Sequence, residues 1–284
     1  MAKTYNDHYL ETRRILKEAG IDAYSLEARI IVAHAAGKPM DKFMRELHFY
    51  TADDMDETVA ELVGRRLAGE PVAYITGSWE FYGLPMEVGP DVLIPRMDTE
   101  VLAETAIKNL KGKSDVRVLD LCSGSGCLGC AIAHELPSAR VVMVDSSPAA
   151  LRISKNNVLL NGLSPRVTCI QADVFDPPPS ILGSFDLVVC NPPYIPTGEL
   201  KNLDPSVRDY EPLSALDGGE DGLDFYRAVL KEWKSVIRET GSLMFEVGIG
   251  QAEEVKKMMR LSGFKAVEGI YDTGGIERVI TGRL

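Results

Sequence analysis

No apolar run in these 284 residues approaches the roughly 18 needed to cross a bilayer. The opening Met1-Ala2-Lys3-Thr4-Tyr5-Asn6-Asp7 also lacks the apolar core of a secretion signal, so no membrane association is expected. Cysteine is scarce and odd in number, five residues mostly in apolar segments, which argues against a disulfide framework and fits a reducing cytoplasm. Positive charge is in deficit, 31 Lys and Arg against 42 Asp and Glu, for a net charge of −11. Gripping a polyanion without sequence preference needs clustered cations, so a protein or small-molecule substrate is favoured over nucleic acid, with a local basic patch left open. Histidine is rare, and His8, His34, His48 and His134 form neither a metal-binding pair nor a triad spacing; ordinary surface or helix positions are expected for them. Cys127 and Cys130 have no second pair and no histidine at ligand spacing, so core filling is the expected role. The phosphate-cradling signatures G-x-G-x-x-G and Gly-Lys-Ser/Thr are missing as well.

What is present falls into three stretches: helices over residues 1–70, a β-hairpin linker over 71–96, and an alternating α/β pattern over 97–284. In the first, Tyr9, Leu16 and Ala19 share a face of one helix ending at Gly20. Leu26, Ile30 and Ala33 do the same in a second that stops at Gly37-Lys38-Pro39. Thr51 with Asp54 reads as a capping pair for a third, carrying Met55, Val59, Leu62 and Val63. This small bundle holds no catalytic constellation and suits partner recognition. In the linker, Val72-Ala73-Tyr74-Ile75 and Met86-Glu87-Val88 read as short strands. Beyond Val116, strands are expected over 116–121, 140–145, 166–171, 185–190, 242–247, 264–270 and 276–281. Helices are expected over 127–136, 148–161, 222–239 and 251–261. That alternation predicts a largely parallel sheet.

The run Cys122-Ser123-Gly124-Ser125-Gly126 follows the first of these strands and opens a helix, where glycine lets backbone approach a ligand without a Cβ in the way. Asp145 ends the second strand, placed to accept both hydroxyls of a ribose. Asp173, just past the third, can reach an adenine amino group, with Val174 against the ring. A glycine turn, a ribose acid and an adenine acid without a phosphate cradle point to adenosine free of phosphates, and S-adenosylmethionine fits.

Asn191-Pro192-Pro193-Tyr194 closes the fourth strand. Two prolines fix φ and remove two N–H donors, leaving a stiff turn with free carbonyls. The Asn191 amide oxygen and the Pro192 carbonyl can accept both N–H bonds of a planar NH2 group, and Tyr194 adds a flat ring. An amide nitrogen is a poor nucleophile, so catalysis here means positioning its lone pair.

These residues carry a resemblance. The tetrapeptide is similar to that of amino-group methyltransferases of nucleic acids and proteins. The whole chain resembles the peptide chain release factor glutamine methyltransferases, through Pro71-Val72-Ala73-Tyr74-Ile75-Thr76-Gly77, Glu80-Phe81-Tyr82-Gly83-Leu84-Pro85, Val92-Leu93-Ile94-Pro95-Arg96 and the run from Tyr210 to Arg227. The resemblance implies a Rossmann-like seven-stranded sheet ending in an antiparallel strand, and methyl transfer to the glutamine of a Gly-Gly-Gln loop in class I release factors. It implies catalytic roles for Asn191, Pro192 and Tyr194, and glutamine contacts from Asn191, Pro192, Pro193 and Tyr194. It also implies cofactor contacts from Leu93, from the Cys122–Gly126 turn, and from Asp145 and Asn191, beside Asp173 and Val174. A monomer that binds no nucleic acid is expected. Glutamine methylation of a ribosomal protein and adenine methylation of nucleic acid are the alternatives.

Cys122 stands where glycine is usual in the family, and a φ above zero would strain it. The 198–221 segment is expected to be an ordered lid, with Asp221 and Asp224 capping the helix that follows. Glu246 ends a central strand, either supporting Asn191 or facing solvent.

Overall fold

The structure, a computed structural model, describes residues 3–284. Its contacts divide it into two compact units: the described residues through Ser78 with Asp204–Tyr210, and Trp79–Leu203 with Glu211–Leu284.

The first unit is helical, with α1 (Tyr5–Glu18), α2 (Tyr24–Ala35), α3 (Met40–Arg45), α4 (Met55–Leu67) and α5 (Val72–Thr76). Thr4 caps α1 through a reciprocal pair with Asp7, which satisfies two N–H groups left over at the helix start. The buried face of α1 is His8, Thr12 and Leu16, sharing only Leu16 with the expected one, and α2 buries the expected Ala33 with Ala28, Ile31 and Val32 while Leu26 is exposed. Tyr9 keeps its ring at the edge because its hydroxyl pairs with Ser25. His8 is therefore no surface residue: it is buried, its ring 3.2 Å from the Thr51 hydroxyl, and desolvation lowers its pKa. That contact, with a bond from Thr51 Oγ1 to the Lys3 carbonyl, takes Thr51 away from the capping role expected of it. Asp54 makes no side-chain cap either.

Val72-Ala73-Tyr74-Ile75 forms α5 and not a strand. Pro71 sets its start, Gly77 at φ +67° ends it, and all four residues are buried without the alternation a half-buried strand needs. The hairpin lies just after, as β1 (Ser78–Phe81) and β2 (Leu84–Glu87).

The second unit continues with α6 (Met97–Leu110), β3 (Arg117–Leu121), α7 (Cys127–Glu135), β4 (Arg140–Asp145), α8 (Pro148–Leu160), β5 (Val167–Gln171) and β6 (Phe185–Cys190). It is completed by α9 (Asp224–Ala228), β7 (Ile237–Glu246), α10 (Ala252–Leu261), β8 (Lys265–Tyr271) and β9 (Glu277–Arg283). Seven strands form one sheet in the order β5-β4-β3-β6-β7-β9-β8, parallel except for β9, which runs against both neighbours. Leu187, Val188, Val189 and Cys190 of β6 are fully buried, as an apolar run covered on both faces must be. Each such aliphatic side chain contributes roughly 1.5–3 kcal/mol to folding.

The helix expected over 222–239 stops at Val236. After α9 the chain widens into a π-helical turn, Val229–Trp233, then a 3-10 turn, and β7 begins at Ile237, five residues before the strand expected at 242. Trp233 is buried there, its indole N–H donating to the carbonyls of Val174 and Asp176 at 3.1 Å each. Strand order reverses between β3 and β6, so the chain leaves these neighbours in opposite directions and opens a crevice past their carboxyl ends.

Candidate active site

The turn after β3 is held in an unusual backbone. Cys122 sits at φ +56°, the left-handed region that a Cβ disfavours, followed by Gly124 at +52° and Gly126 at +77°. Gly126 begins α7, and a Cβ there would come within 3.0 Å of the Met143 sulfur. The turn is fixed from β4: Ser123 N–H donates to the Val144 carbonyl, and Gly124 N–H to Asp145 Oδ2 at 2.8 Å. The other Asp145 oxygen accepts from Ser147 N–H at 2.9 Å. Each carboxylate oxygen thus holds one backbone donor and keeps a free lone pair.

The corner after β6 is built by different means. Ile195 N–H donates to the Leu216 carbonyl and Gly218 N–H to the Ile195 carbonyl. A Cβ on Gly218 would sit 2.7 Å from Tyr194 Cα, so only glycine allows the two backbones to touch. Gln251 Nε2 donates to the Tyr194 carbonyl at 2.8 Å, and Asn191 Nδ2 donates to Thr99 Oγ1 at 3.0 Å.

Turn and corner open on one cavity of about 490 Å³. Leu93, Cys122, Ser123, Gly124 and Ser125 line it, as do Asp145, Asp173, Val174, Asn191 and Pro193. Gly126, Pro192 and Tyr194 do not: Gly126 is spent on starting α7, Pro192 is buried, and Tyr194 packs against the apolar core. Five carboxylates line the cavity, Asp91, Asp120, Asp145, Asp173 and Asp217, and burial raises two of them, Asp145 upward from its usual range and Asp120 to about 8. Asp120 is held by Gly129 N–H at 3.0 Å.

Several lining residues went unnoticed in the sequence. Phe175 and Phe225 meet edge to face, centroids 4.9 Å apart, beside Asp173 and Val174. Leu213, Ser214, Ala215 and Asp217 also line the cavity, so the 198–221 segment is ordered and shapes the site itself. Buried Glu211 anchors that segment, accepting from Ile94 N–H and pairing with Arg96, another lining residue. Asp221 accepts from Leu223 N–H ahead of α9, whereas Asp224 pairs with Arg227 and caps nothing. Cys127 and Cys130 are buried in α7, and desolvation pushes the Cys127 thiol up to about 12, as befits filler. Glu246, 2 % exposed, faces no solvent.

Residues 97–203 match the Methyltransferase small domain family and residues 9–77 match the PrmC N-terminal domain. A release factor glutamine methyltransferase from Geobacter sulfurreducens is 43% identical over 277 residues, covering 96% of this chain and 94% of its own. The chain belongs to the release factor glutamine methyltransferase family. A further family member, from Thermodesulfovibrio yellowstonii, is 36% identical across 89% of this chain and 90% of its own. Among solved structures, a methyltransferase from Pyrococcus furiosus is 15% identical with a TM-score of 0.51, covering 79% of this chain and 98% of that one; it shares the fold. The seven-stranded methyltransferase architecture, with helices ahead of it and a two-stranded hairpin, is the one expected of this family.

Proposed function

We propose that this chain transfers a methyl group to the side-chain nitrogen, N5, of the glutamine in the Gly-Gly-Gln motif of class I release factors. The observation that carries the reading is that Asn191 and Pro193 share a cavity with the glycine turn, Asp145 and Asp173, in a chain of this family.

The cavity suits S-adenosylmethionine. Its five carboxylates would repel a phosphate and favour a cationic or neutral nucleoside. Ser123 Oγ is buried there with no hydrogen-bond partner, a polar atom awaiting one. The free lone pairs of Asp145 suit two ribose hydroxyls, Asp173 an exocyclic amine, and Val174 with Phe175 and Phe225 a flat ring. Leu93 and the Cys122–Gly126 turn complete the contacts. When bound, this cofactor supplies a methyl group carried on a positively charged sulfur.

The protein's own part is orientation. Asn191 Oδ1 accepts one N–H of the glutamine amide and the Pro192 carbonyl the other, while Pro193 walls the cavity and Tyr194 stiffens the corner from behind. Held so, the amide presents its nitrogen lone pair along one line, and correct placement of two reactants can lower a barrier by about 7–11 kcal/mol. No strong base is needed, since the nitrogen sheds its proton once methylated. The helical first unit, which carries the PrmC N-terminal domain match, is assigned to recognition of the release factor. We place the enzyme in the cytoplasm as a monomer, consistent with five cysteines that are all free; no helix of the described residues is long and apolar enough to cross a membrane.

Radiolabelled S-adenosylmethionine offered with a class I release factor, its Gly-Gly-Ala variant, a ribosomal protein and unmethylated DNA tests the reading. Label is expected on the release factor alone and only when the glutamine is present. Label on the variant, or preferentially on another substrate, overturns it.

A further inference from the structure

Gln251 sits in the turn between β7 and α10 and does not line the cavity. Its side-chain amide is nevertheless engaged at both ends. Nε2 donates to the Tyr194 carbonyl at 2.8 Å and to the Gly222 carbonyl at 3.3 Å, while Oε1 accepts from Gly248 N–H at 3.0 Å. The Tyr226 hydroxyl, which donates to the Glu246 carbonyl at 2.9 Å, packs beside Oε1 at 3.4 Å. The backbone partners decide which end of the amide is which. A carbonyl can only accept and an N–H can only donate, so rotation by half a turn would break all three bonds.

These partners belong to three different segments. Tyr194 ends the proline corner, and Gly248 follows β7. Gly222 closes the loop whose Leu213, Ser214, Ala215 and Asp217 line the cavity. Space is cleared on both sides of the amide. A Cβ on Gly222 would collide with the Tyr194 carbonyl oxygen and stand 2.7 Å from Gln251 Nε2. One on Gly248 would stand 2.8 Å from Gln251 Oε1 and 3.0 Å from Tyr194 Cδ2.

The corner has particular need of such a tie. Pro192 and Pro193 have no N–H, so the corner cannot secure itself through donors of its own. Beyond it, the bonds of Ile195 to Leu216 and Gly218, and of Thr197 to Asp217 and Gly219, join corner and loop to each other. Gln251 joins both to the turn after β7, the strand that lies beside β6. The corner is thus held at its two ends: Asn191 continues from β6, and the Tyr194 carbonyl is gripped from β7. We infer that Gln251 is a positioning residue for methyl transfer, fixing the proline corner and the cavity-lining loop in one relation so that the Asn191 and Pro192 oxygens stay aimed at the acceptor amide. The inference rests on the reading of those two oxygens as the acceptor's holders, and deepens it.

Two substitutions of similar size separate holding from filling. Gln251→Met removes both donors, whereas Gln251→Glu keeps an acceptor for Gly248 N–H and sets a carboxylate oxygen against two carbonyls. At saturating S-adenosylmethionine, Gln251→Met should lower kcat for the release factor by about 10- to 100-fold, the scale of a reacting group misplaced by about 1 Å. Gln251→Glu should lower it at least as far. KM for the release factor and affinity for S-adenosylhomocysteine should each stay within about 3-fold, since the lost interaction matters at the moment of transfer. Gly222→Ala attacks the same bond from the other side and should reproduce the fall in kcat, which keeps the test open if Gln251→Met does not fold. Amide hydrogen exchange, followed by NMR on the full chain without substrate, should quicken by about 10-fold or more at Ile195 and Gly218 and stay unchanged in β4. A side chain that only fills space would instead speed exchange throughout and leave kcat per folded molecule intact.

Normal kcat in Gln251→Met, a loss that falls on KM alone, or exchange at Ile195 and Gly218 that quickens no more than in β4 overturns the inference. Should the unaltered protein leave the release factor unlabelled, it is the proposed function that fails. The exchange comparison then still decides whether Gln251 holds the corner.

Discussion

The glycine turn after β3 and the proline corner after β6 lie on neighbouring strands and open on the same cavity, yet they are built by opposite means. The turn gains its shape from backbone freedom: three left-handed positions, Cys122, Gly124 and Gly126, alternate along five residues, pinned by backbone donors to Asp145 and to the Val144 carbonyl. The corner gains its shape from restriction, with two prolines, the Gln251 amide, the close approach of Gly218 and the Thr99 contact to Asn191. The difference follows from what each must hold. A nucleoside is large and offers many contacts, so no single one decides. An amide nitrogen offers two N–H bonds, and a small misalignment removes the reaction.

That contrast can be broken at the corner first. Asn191→Ala should cost on the order of 10²–10³ in turnover, comparable to deleting one oriented polar group from an active site. Its affinity for S-adenosylhomocysteine, measured by calorimetry, should change far less; near-normal turnover would refute the acceptor role. On the opposite side, Asp145→Ala should weaken that affinity by roughly 10- to 100-fold, the loss of one or two charge-assisted hydrogen bonds. Turnover at saturating cofactor should largely recover. If instead kcat collapses and affinity holds, the division of labour between turn and corner is wrong.

A third change sharpens the electrostatics beneath the turn. Asp120 has its pKa raised to about 8 from 3.8 by burial. Its favourable contribution is full below the unfolded value and is lost as pH climbs through the folded one. The unaltered protein should therefore lose stability between about pH 4 and 8, and Asp120→Asn should lose less. At pH 9 the variant should be more stable by on the order of 2 kcal/mol, since it removes a poorly compensated buried charge. Thermal unfolding at pH 5 and pH 9 checks this, and a gap that does not widen with pH contradicts it. The smallest effect is expected from Cys122→Gly, which relieves a left-handed φ but frees the unfolded chain. The two nearly cancel, leaving stability within about 1 kcal/mol.

Much of this was written in the sequence. β4 lies where its apolar run and terminal aspartate put it, and β6 agrees residue for residue, because its single polar residue, Asp186, comes second and leaves an unbroken buried run behind it. The turn and the corner were legible for a related reason: glycine and proline restrict the backbone wherever they occur. The supporting shell was not. Thr99, Glu211 and Gln251 are common residues whose roles depend on partners far along the chain, 92 positions away for Thr99 and Asn191. Phe175 and Phe225 read as ordinary apolar residues until the fold brings them edge to edge. Short apolar runs failed for want of period: Val72–Thr76 has too few residues to separate helix from strand, and nothing in 229–236 announces the widened turn.

One side chain joins the hairpin to all of this. Asn157 on α8 accepts from Glu87 N–H at 2.6 Å and donates to the carbonyls of Glu87 and Ser125, each at 2.9 Å. It is fully buried, so water cannot stand in for any of these partners. The end of β2 and the floor of the glycine turn are therefore riveted to one amide. A tug on the small two-stranded sheet is delivered straight to the Ser125 carbonyl, and the hairpin behaves as a strut of the nucleoside pocket.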